Sequence, residues 1–271
     1  MNIFITYGDN NYLKQKKIAV WMARVLGGFD KVITYGPEDI EDSFRDANSE
    51  IMNNKYGGGY WLWKPYLIMK TLQKMSDGDC LFYSDACSYF IRNVNPLIKL
   101  LDVHNQDVIG FELPLLEMQW TSPSVFELMN VEKSFGDKNQ LSASFYLIRK
   151  SDFSVKFFSD LLVYSRNPRC IIGPVKACET RNEFIEHRYD QSVFSLLYRK
   201  YNLIGCKDPT QYNKYPEGYI RPKHEEEVRR YKLNTYIESY GMLIFHYRSQ
   251  SPFISFLKFM VKIVLKKRNV T

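Results

Sequence analysis

Short apolar runs alternate with helical patterns along the first 200 residues of the chain. The runs that we predict as strands are residues 2–6 (NIFIT), 31–35 (KVITY), 80–83 (CLFY), 107–113 (DVIGFEL) and 140–148 (QLSASFYLI). They are too short for helices and most are rich in β-branched or aromatic side chains. Helices are predicted between and after them, at residues 12–26, 66–75, 96–101, 122–129, 151–164 and 193–201. This order predicts an α/β domain with a Rossmann-like, mostly parallel central sheet flanked by helices.

Polar residues follow two of the predicted strands, at the sheet edge where ligands bind in open α/β folds. The loop Tyr7–Asn11 follows the first strand, and Asp85 follows the third between two small residues. The Asp85 carboxylate is well placed for a metal ion or a sugar; the alternative is a helix-capping aspartate after a core strand. The loop has no GxGxxG or GxxxxGK[ST] pattern, which argues against dinucleotide and P-loop binding.

Residues 53–66 (NNKYGGGYWLWKPY) concentrate glycines and aromatic side chains. Three successive glycines let the backbone approach a ligand or adopt positive φ angles. The rings of Tyr60 and Trp63 could stack on a sugar or base, and Lys64 could neutralise a phosphate. The alternative is a flexible loop whose rings pack beneath the sheet. We favour a binding site, because conspicuous loop chemistry more often serves function.

Ionisable side chains cluster again before the last predicted helix of this region, in residues 183–192 (EFIEHRYDQS). Taken singly, Asp190 is most simply a helix cap and His187 a surface imidazole. Their density in one short stretch favours a catalytic corner. After the strand at 107–113, Glu117 and Trp120 could face an acceptor or lie on the surface. His246 follows a strand-like run and, by itself, is more simply structural.

Composition narrows the class of protein. A chain of 271 residues can bury a core without disulfide or metal staples. The five cysteines, at positions 80, 87, 170, 178 and 206, are odd in number and form no CxxC pair. That pattern predicts reduced thiols in a cytosolic protein, and no zinc site. We expect no secretory signal and no membrane span, because no window approaches about 18 uncharged apolar residues.

The positive charge lies mainly near the carboxyl terminus. The formal charge is +7, and residues 253–271 hold five cations and no acid, which leaves +2 for the other 252 residues. A near-neutral body disfavours nucleic-acid binding, which usually needs a basic stripe on the folded domain. On a helix over 253–268, Lys258, Lys262 and Lys266 share one stripe and most of the remaining surface is apolar. This predicts a helix on an anionic membrane surface; docking on the domain or on a partner is the alternative.

Five blocks of the sequence together resemble one family. They are KYGGGYWLWKPYLIMKTL, DGDCLFYSDACSYF, EMQWTSPSVFELM, QLSASFYLIRKSDFSVKFF and FIEHRYDQSVFSLL. In this order they resemble bacterial polysaccharide glycosyltransferases encoded in O-antigen and capsule clusters, from about residue 3 to residue 201. The GYWLWKP and HRYDQSVFSLL blocks are the most specific. The resemblance implies a single GT-A-like domain at residues 1–250, followed by the amphipathic helix at 251–271.

The resemblance also implies an activity and a set of site residues. A sugar would move from a nucleotide donor, a UDP-hexose, to a lipid-linked or lipopolysaccharide glycan acceptor at the cytoplasmic face of the plasma membrane. Asp190 and Gln191 resemble the Asp-Gln pair beside the donor sugar in retaining galactosyltransferases, which favours retention. An inverting enzyme would instead use a carboxylate base, Asp190, Glu186 or Glu117. The donor-binding residues would be Thr6, Tyr7, Gly8, Tyr60, Trp63, Lys64, Ser84, Asp85, Ala86 and Arg188, and the acceptor-binding residues Glu117, Trp120 and His187.

A divalent metal is implied in the same way. Asp85 resembles the first acid of the Asp-x-Asp motif that holds Mn²⁺ or Mg²⁺, but the third position is Cys87. A hard cation prefers oxygen ligands to a thiol. His246 resembles a late histidine ligand of such enzymes. Either Asp85 binds the metal with His246 and water, or metal dependence is weak.

Two alternatives of other classes are open at this stage. One is a non-catalytic protein that binds carbohydrate or sugar nucleotide on the same fold, with Cys87 marking lost metal binding. The other is a phosphosugar transferase, which would release a nucleoside monophosphate.

Overall fold

The computed structural model describes residues 1–173, 183–219, 236–247 and 251–268, and for Glu217 and residues 262–268 it describes the backbone alone. Part of the loop predicted at 166–182, with Cys178, lies outside the described residues. So do residues 220–235, the boundary expected at residue 250 and the last three residues of the predicted tail.

A five-stranded sheet forms the centre of the fold. The strands of the chain are β1 (Asn2–Tyr7), β2 (Lys31–Tyr35), β3 (Cys80–Ser84), β4 (Ser88–Phe90), β5 (Val108–Ile109), β6 (Glu112–Leu116), β7 (Asn139–Leu141), β8 (Phe145–Arg149) and β9 (Ile244–His246). The central order is β2-β1-β3-β8-β5, while β4 pairs with β9 and β6 with β7. β1 runs parallel to β2 and β3, and β8 runs antiparallel to β3 and β5. Four of the five central strands therefore point the same way.

Helices cover both faces of this sheet. They are α1 (Leu13–Met22), α2 (Asp42–Ala47), α3 (Ser49–Met52), α4 (Gly57–Tyr60), α5 (Trp63–Leu72), α6 (Asn95–Val103), α7 (Glu117–Trp120), α8 (Pro123–Leu128), α9 (Asp152–Ser165), α10 (Pro168–Ile171), α11 (Tyr189–Lys200) and α12 (Pro252–Arg268). The local sequence explains where several of these helices begin. Pro65 lies in the first turn of α5, where its missing N–H costs no hydrogen bond. The Ser151 hydroxyl caps α9 by accepting from the Ser154 N–H at 3.2 Å.

Alternate residues of β3 pack into two cores. Leu81 and Tyr83 face one layer, with side chains of α5, α9 and α11, and Phe82 faces the other, with side chains of α6. Each large apolar side chain buried in this way contributes about 1.5–3 kcal/mol. Burial on both faces explains why a largely apolar run forms this central strand. The arrangement confirms the predicted α/β sheet with helices on both faces.

Two predicted strands are each divided, and one predicted helix begins earlier. The strand at 107–113 breaks at Gly110, where a side chain would meet the rings of Tyr198 and Phe194 at 3.1 and 3.3 Å. The strand at 140–148 becomes β7 and β8, which belong to different sheets. α11 begins at Tyr189, four residues before the predicted start at residue 193. Asp190 therefore lies inside the first turn of the helix and is not its cap.

Candidate functional site

Two adjoining cavities of about 550 and 590 Å³ form one cleft beyond the carboxyl ends of β1 and β3. The residues that line both cavities are Asn11, Tyr12, Tyr56, Trp61, Asp85 and Cys87. Tyr7 and Gly8 line one of them directly after β1. The cleft thus lies at the sheet edge where the sequence predicted ligand binding.

A buried ammonium group organises the floor of the cleft. The Lys64 side chain is only 3% exposed, and its Nζ donates to the Ala143 carbonyl oxygen at 2.8 Å. The same nitrogen lies 2.5 Å from Asp190 Oδ2 and 3.3 Å from Asp85 Oδ1. These three acceptors match the three donors of an ammonium. One lysine on α5 therefore joins the end of β3 to the start of α11.

The charges of this group are mutually dependent. Burial opposes the charge on Lys64, but the carboxylates of Asp190 and Asp85 outweigh it and raise the pKa of the ammonium above its ordinary value. Burial raises the pKa of the Asp190 carboxyl to about 6, against the attraction of Lys64. The Tyr83 hydroxyl also donates to Asp85 Oδ1. At neutral pH one cation thus faces two carboxylates, and the group carries a net negative charge.

A left-handed turn forms the front wall. All five residues from Gly57 to Trp61 have positive φ angles, between 50° and 94°. Glycine adopts this conformation freely, but Tyr60 and Trp61 each incur about 1–2 kcal/mol of strain. Tyr189 also has a positive φ, and its ring centroid lies 5.4 Å from that of Tyr60 and 5.8 Å from that of Trp61. Strained residues of this kind are typical of binding and catalytic sites.

A buried hydrogen-bond network orients Gln191 from behind. Gln191 Nε2 donates to Gln140 Oε1 at 2.7 Å, and Gln140 Nε2 donates to Glu117 Oε1 at 3.2 Å. Ser195 donates to the other oxygen of Glu117, and burial raises the pKa of that carboxyl. Because each amide presents its NH₂ group to the residue behind it, the Gln191 oxygen turns towards Tyr219, 3.5 Å from the Tyr219 hydroxyl. Gln191 and Tyr219 both line the cleft.

Arg188 and His187 have different surroundings although they are adjacent. The Arg188 guanidinium lies 4.1 Å from the ring centre of Trp120 and its Nη2 is 3.4 Å from Glu186 Oε1, within the wall of the cleft. His187 Nδ1 accepts from the Ser122 N–H at 3.3 Å, and its Nε2 donates to the Cys170 carbonyl oxygen at 3.0 Å. Burial lowers the pKa of His187 to about 4, so this imidazole is neutral and packs as part of the core.

Asp85, Cys87 and His246 line the same cavity, as the predicted metal site requires. Within the residues that the structure describes, these three side chains do not form a group whose ligand atoms all lie within 4.8 Å of one another. Burial and the Asp85 charge raise the pKa of the Cys87 thiol to about 12, so it keeps its proton at neutral pH. His246 Nδ1 is hydrogen-bonded to Ser88 Oγ at 2.7 Å, a contact that fixes the orientation of the imidazole ring. Asp85 and His246 offer two donor types that a divalent cation takes, a carboxylate oxygen and an imidazole nitrogen, from the lining of one cavity.

The structure brings most of the predicted site residues together. Those that line the cleft are Tyr7, Gly8, Trp63, Lys64, Asp85, Ala86, Glu186, Arg188, Asp190, Gln191 and His246. Those that do not line it are Thr6, Tyr60, Ser84, Glu117, Trp120 and His187. The three residues predicted to contact an acceptor belong to this second group: Glu117 and Trp120 have no exposed surface, and His187 is 9% exposed.

Sequence reasoning missed several lining residues. The lining residues that were not assigned to the site are Asp9, Asn11, Tyr12, Gln15, Lys55, Tyr56, Gly57, Gly58, Trp61, Cys87, Ala143, Ser144, Tyr189, Tyr219 and Tyr247. The sequence contained a signal for some of these residues. Asn11 belongs to the predicted loop after β1, and Tyr56 and Trp61 flank the predicted glycine segment. The tyrosines at 219 and 247 had none, because they come from segments without a recognisable motif.

Comparison with known proteins supports the fold but no sequence family. No protein-family model matches the chain, and no curated protein matches it. The apo structure of mouse xyloside xylosyltransferase 1 is similar over 93% of this chain and 99% of that one, with a TM-score of 0.51 and 12% sequence identity. The galactosyltransferase LgtC with donor and acceptor sugar analogues is similar over 92% and 88%, with a TM-score of 0.48 and 14% identity. The chain shares its fold, which is of the GT-A type, with the xylosyltransferase structure.

The first prediction concerns the left-handed turn. A Cβ at Gly59 (φ +94°) would lie 2.9 Å from the Met52 Cα, whereas a Cβ at Gly78 (φ +86°) would meet nothing within 4 Å. We expect Gly59→Ala to lower the free energy of unfolding by about 1–3 kcal/mol more than Gly78→Ala, because only the first adds a clash with backbone. Urea unfolding of both variants measures the difference, and equal losses would mean that the turn tolerates a side chain.

Proposed function

We propose that this protein is a glycosyltransferase that moves a hexose from a UDP-linked donor to a lipid-linked or lipopolysaccharide glycan during surface polysaccharide synthesis. The observation that carries the proposal is the cleft at the ends of β1 and β3, where Lys64, Asp85, Asp190 and Gln191 converge on a GT-A fold. The donor class and the acceptor follow from the resemblance of the sequence blocks to polysaccharide glycosyltransferases.

The site contains groups suited to both charges of a glycosyl transfer. The donor sugar gains positive charge at its anomeric carbon as the bond to the diphosphate breaks, and the diphosphate gains negative charge. Asp190 and the oriented oxygen of Gln191 are suited to the positive carbon, which favours retention of configuration. Arg188, at the cleft wall, is suited to the leaving group. Lys64 keeps Asp190 and Asp85 in place, because all its donors are already bound to them and to Ala143.

The charge balance supports a role for a divalent cation. Lys64 offsets only one of the two carboxylates beside it, and a diphosphate would add further negative charge. Mn²⁺ or Mg²⁺, held by Asp85 and His246, would supply positive charge to the leaving group when bound. With only two protein ligands, its affinity would depend on the oxygens of the donor.

Exposed apolar residues support contact with a membrane surface through residues 251–271. α12 packs by Phe256 and Phe259, whose rings lie 5.2 and 5.5 Å from that of Phe245. The opposite side is exposed, at Phe253 (75%), Ile254 (52%), Leu257 (54%), Met260 (41%) and Val261 (50%). Residues 251–271 contain no acid, which suits an anionic leaflet. No helix of the described residues is long and apolar enough to cross a membrane.

The neighbouring helix α1 extends this surface. Ile18 and Met22 of α1 pack in the same cluster as Phe256 and Phe259, around Tyr89 and Phe245. On its outer side α1 exposes Trp21 (61%) together with Lys14 and Lys17, and the exposed Arg24 follows the helix. Tryptophan beside lysine and arginine is typical of the interfacial region of a bilayer. We propose that both helices contact an anionic membrane that carries the acceptor.

The second prediction tests the donor site. Calorimetry with UDP and GDP, with and without Mn²⁺, should show metal-dependent UDP binding that Asp85→Asn weakens at least about tenfold, which corresponds to 1.4 kcal/mol. Asp77→Asn is the matched control, because the Asp77 side chain is 81% exposed. Binding of neither nucleotide by the wild type would exclude the proposed function.

The products released from a sugar nucleotide by the same protein preparation distinguish catalysis from binding. A transferase releases UDP from its sugar nucleotide, a phosphosugar transferase releases a nucleoside monophosphate, and a non-catalytic binding protein releases neither. Measuring both products with a panel of sugar nucleotides and lipid-linked acceptors distinguishes the three.

The third prediction is a gain of function at Cys87. Cys87→Asp places a carboxylate where the protonated thiol now lies, and a hard cation prefers oxygen ligands. We expect Mn²⁺-dependent UDP affinity to rise about tenfold. Cys87→Ala removes the thiol without adding an oxygen and should leave the affinity near that of the wild type. Equal affinities for Cys87→Asp and Cys87→Ala would contradict a cation site beside Asp85.

The fourth prediction concerns the membrane surface. The wild type should co-sediment with vesicles that contain phosphatidylglycerol and much less with phosphatidylcholine alone. Phe253→Ser with Leu257→Ser should weaken sedimentation at least about tenfold, because about 1.5–3 kcal/mol is lost for each large apolar side chain that no longer inserts. Val163→Ser, at a residue of α9 that is 63% exposed, is the control. Recovery of the wild type in the supernatant with anionic vesicles would refute membrane contact.

A further inference from the structure

A second group of potential ligands lies away from the cleft, beside the edge of the central sheet. It consists of His104, at the end of α6, Cys206, after α11, and Glu238, before β9. Their ligand atoms, one from each side chain, lie within 4.8 Å of one another. The Cys206 residue has no exposed surface, and the side chains of His104 and Glu238 are 6% and 2% exposed. None of the three lines the cleft.

The backbone holds two of these residues in fixed positions. Cys206 bridges the sheet edge: its N–H donates to the Gly110 carbonyl oxygen at 2.9 Å, and its own carbonyl oxygen accepts from the Glu112 N–H at 2.9 Å. Two residues after His104, Gln106 Oε1 accepts from the Ile204 N–H at 2.6 Å. The imidazole and the thiol are therefore brought together by rigid, hydrogen-bonded segments.

The third residue is a buried carboxylate that is incompletely bonded. Glu238 Oε1 is 2.8 Å from His104 Nε2, and the Cys206 thiol is the other group within hydrogen-bonding reach of this carboxylate. Glu238 Oε2 is buried and has no nitrogen or oxygen partner among the described residues. No lysine or arginine of the described residues forms an ion pair with it. A buried carboxylate oxygen in this state is costly unless a cation is present.

We propose that His104, Cys206 and Glu238 bind one Zn²⁺ ion that fastens residues 236–247 to the edge of the sheet. Imidazole nitrogen, thiolate sulfur and carboxylate oxygen are the three donor types that zinc combines in proteins, whereas Mg²⁺ and Ca²⁺ avoid sulfur. On binding, the Cys206 thiol releases its proton to solvent, and the His104 imidazole carries its proton on the ring nitrogen that does not bind the ion. The thiolate and carboxylate together balance the two charges of the ion. A water molecule completes four-coordination. The absence of a CxxC pair predicted no zinc site, but this group comes from three distant segments.

The fifth prediction tests this site with the metal alone. The full-length chain, treated with EDTA and desalted, should take up one Zn²⁺ per chain, measured by inductively coupled plasma mass spectrometry. Co²⁺ in its place should give the absorption band of a cobalt–thiolate bond. Cys206→Ser, His104→Ala and Glu238→Gln should each lower zinc affinity about 100-fold or more, since even loss of groups around metal ligands costs 10–100-fold. Cys80→Ser, at another buried cysteine, should bind zinc as the wild type does.

The outcomes decide the proposal independently of the cleft. The amount of bound zinc is measured without a sugar-nucleotide donor. The chain can therefore bind zinc even if it does not bind UDP, and it can bind UDP even if it does not bind zinc. Absence of bound zinc in the wild type, or full retention of zinc by the three variants, would overturn the site. If a variant does not fold, the cobalt–thiolate band of the wild type and its loss on adding Zn²⁺ still decide the matter. The thermal midpoint of the wild type, but not of Cys206→Ser, should rise with Zn²⁺.

Discussion

The buried ammonium of Lys64 is the interaction on which the cleft depends. It joins three segments that are far apart in the chain, and each contributes an acceptor: the end of β3, the turn before β8, and the first turn of α11. Removing one member of such a group leaves uncompensated charge in a buried place, which typically costs 3–5 kcal/mol. The same contacts that close the fold around the sheet edge therefore also hold Asp85 and Asp190 in the floor of the cleft.

Two layers of different chemistry surround this group. Behind it, Gln191, Gln140 and Glu117 form a dry hydrogen-bond network whose direction is fixed by a carboxylate that accepts on both oxygens. In front, the rings of Tyr56, Tyr60, Trp61 and Tyr189 contact one another across a turn of left-handed backbone. The polar layer fixes the orientation of single atoms, whereas the aromatic layer offers flat apolar surface suited to a sugar or base.

The sequence predicted local elements well because their causes are local. The short apolar runs in NIFIT and KVITY, and the prolines and serines at helix starts, each act over a few residues. The reversal of β8 and the separation of β7 from β8 follow from packing, which no local pattern contains. The same limit applies to the site. Asp85, Lys64 and Asp190 were each recognisable by chemistry, but the Lys64–Asp190 contact is tertiary and could not be predicted. Residue types alone could not predict that Glu117 is buried behind Gln140 either.

The pairing of β4 with β9 has a consequence for biosynthesis. β4 follows Asp85 directly, but its partner strand, with His246, belongs to a segment translated long afterwards. Synthesis proceeds from the amino terminus, so the strands of the central sheet and the residues of the Lys64 group have all been made while one wall of the cleft is still missing. The cleft is completed only when β9 has left the ribosome, shortly before α12 emerges. The cleft and the apolar surface of α12 are therefore completed at nearly the same point in synthesis.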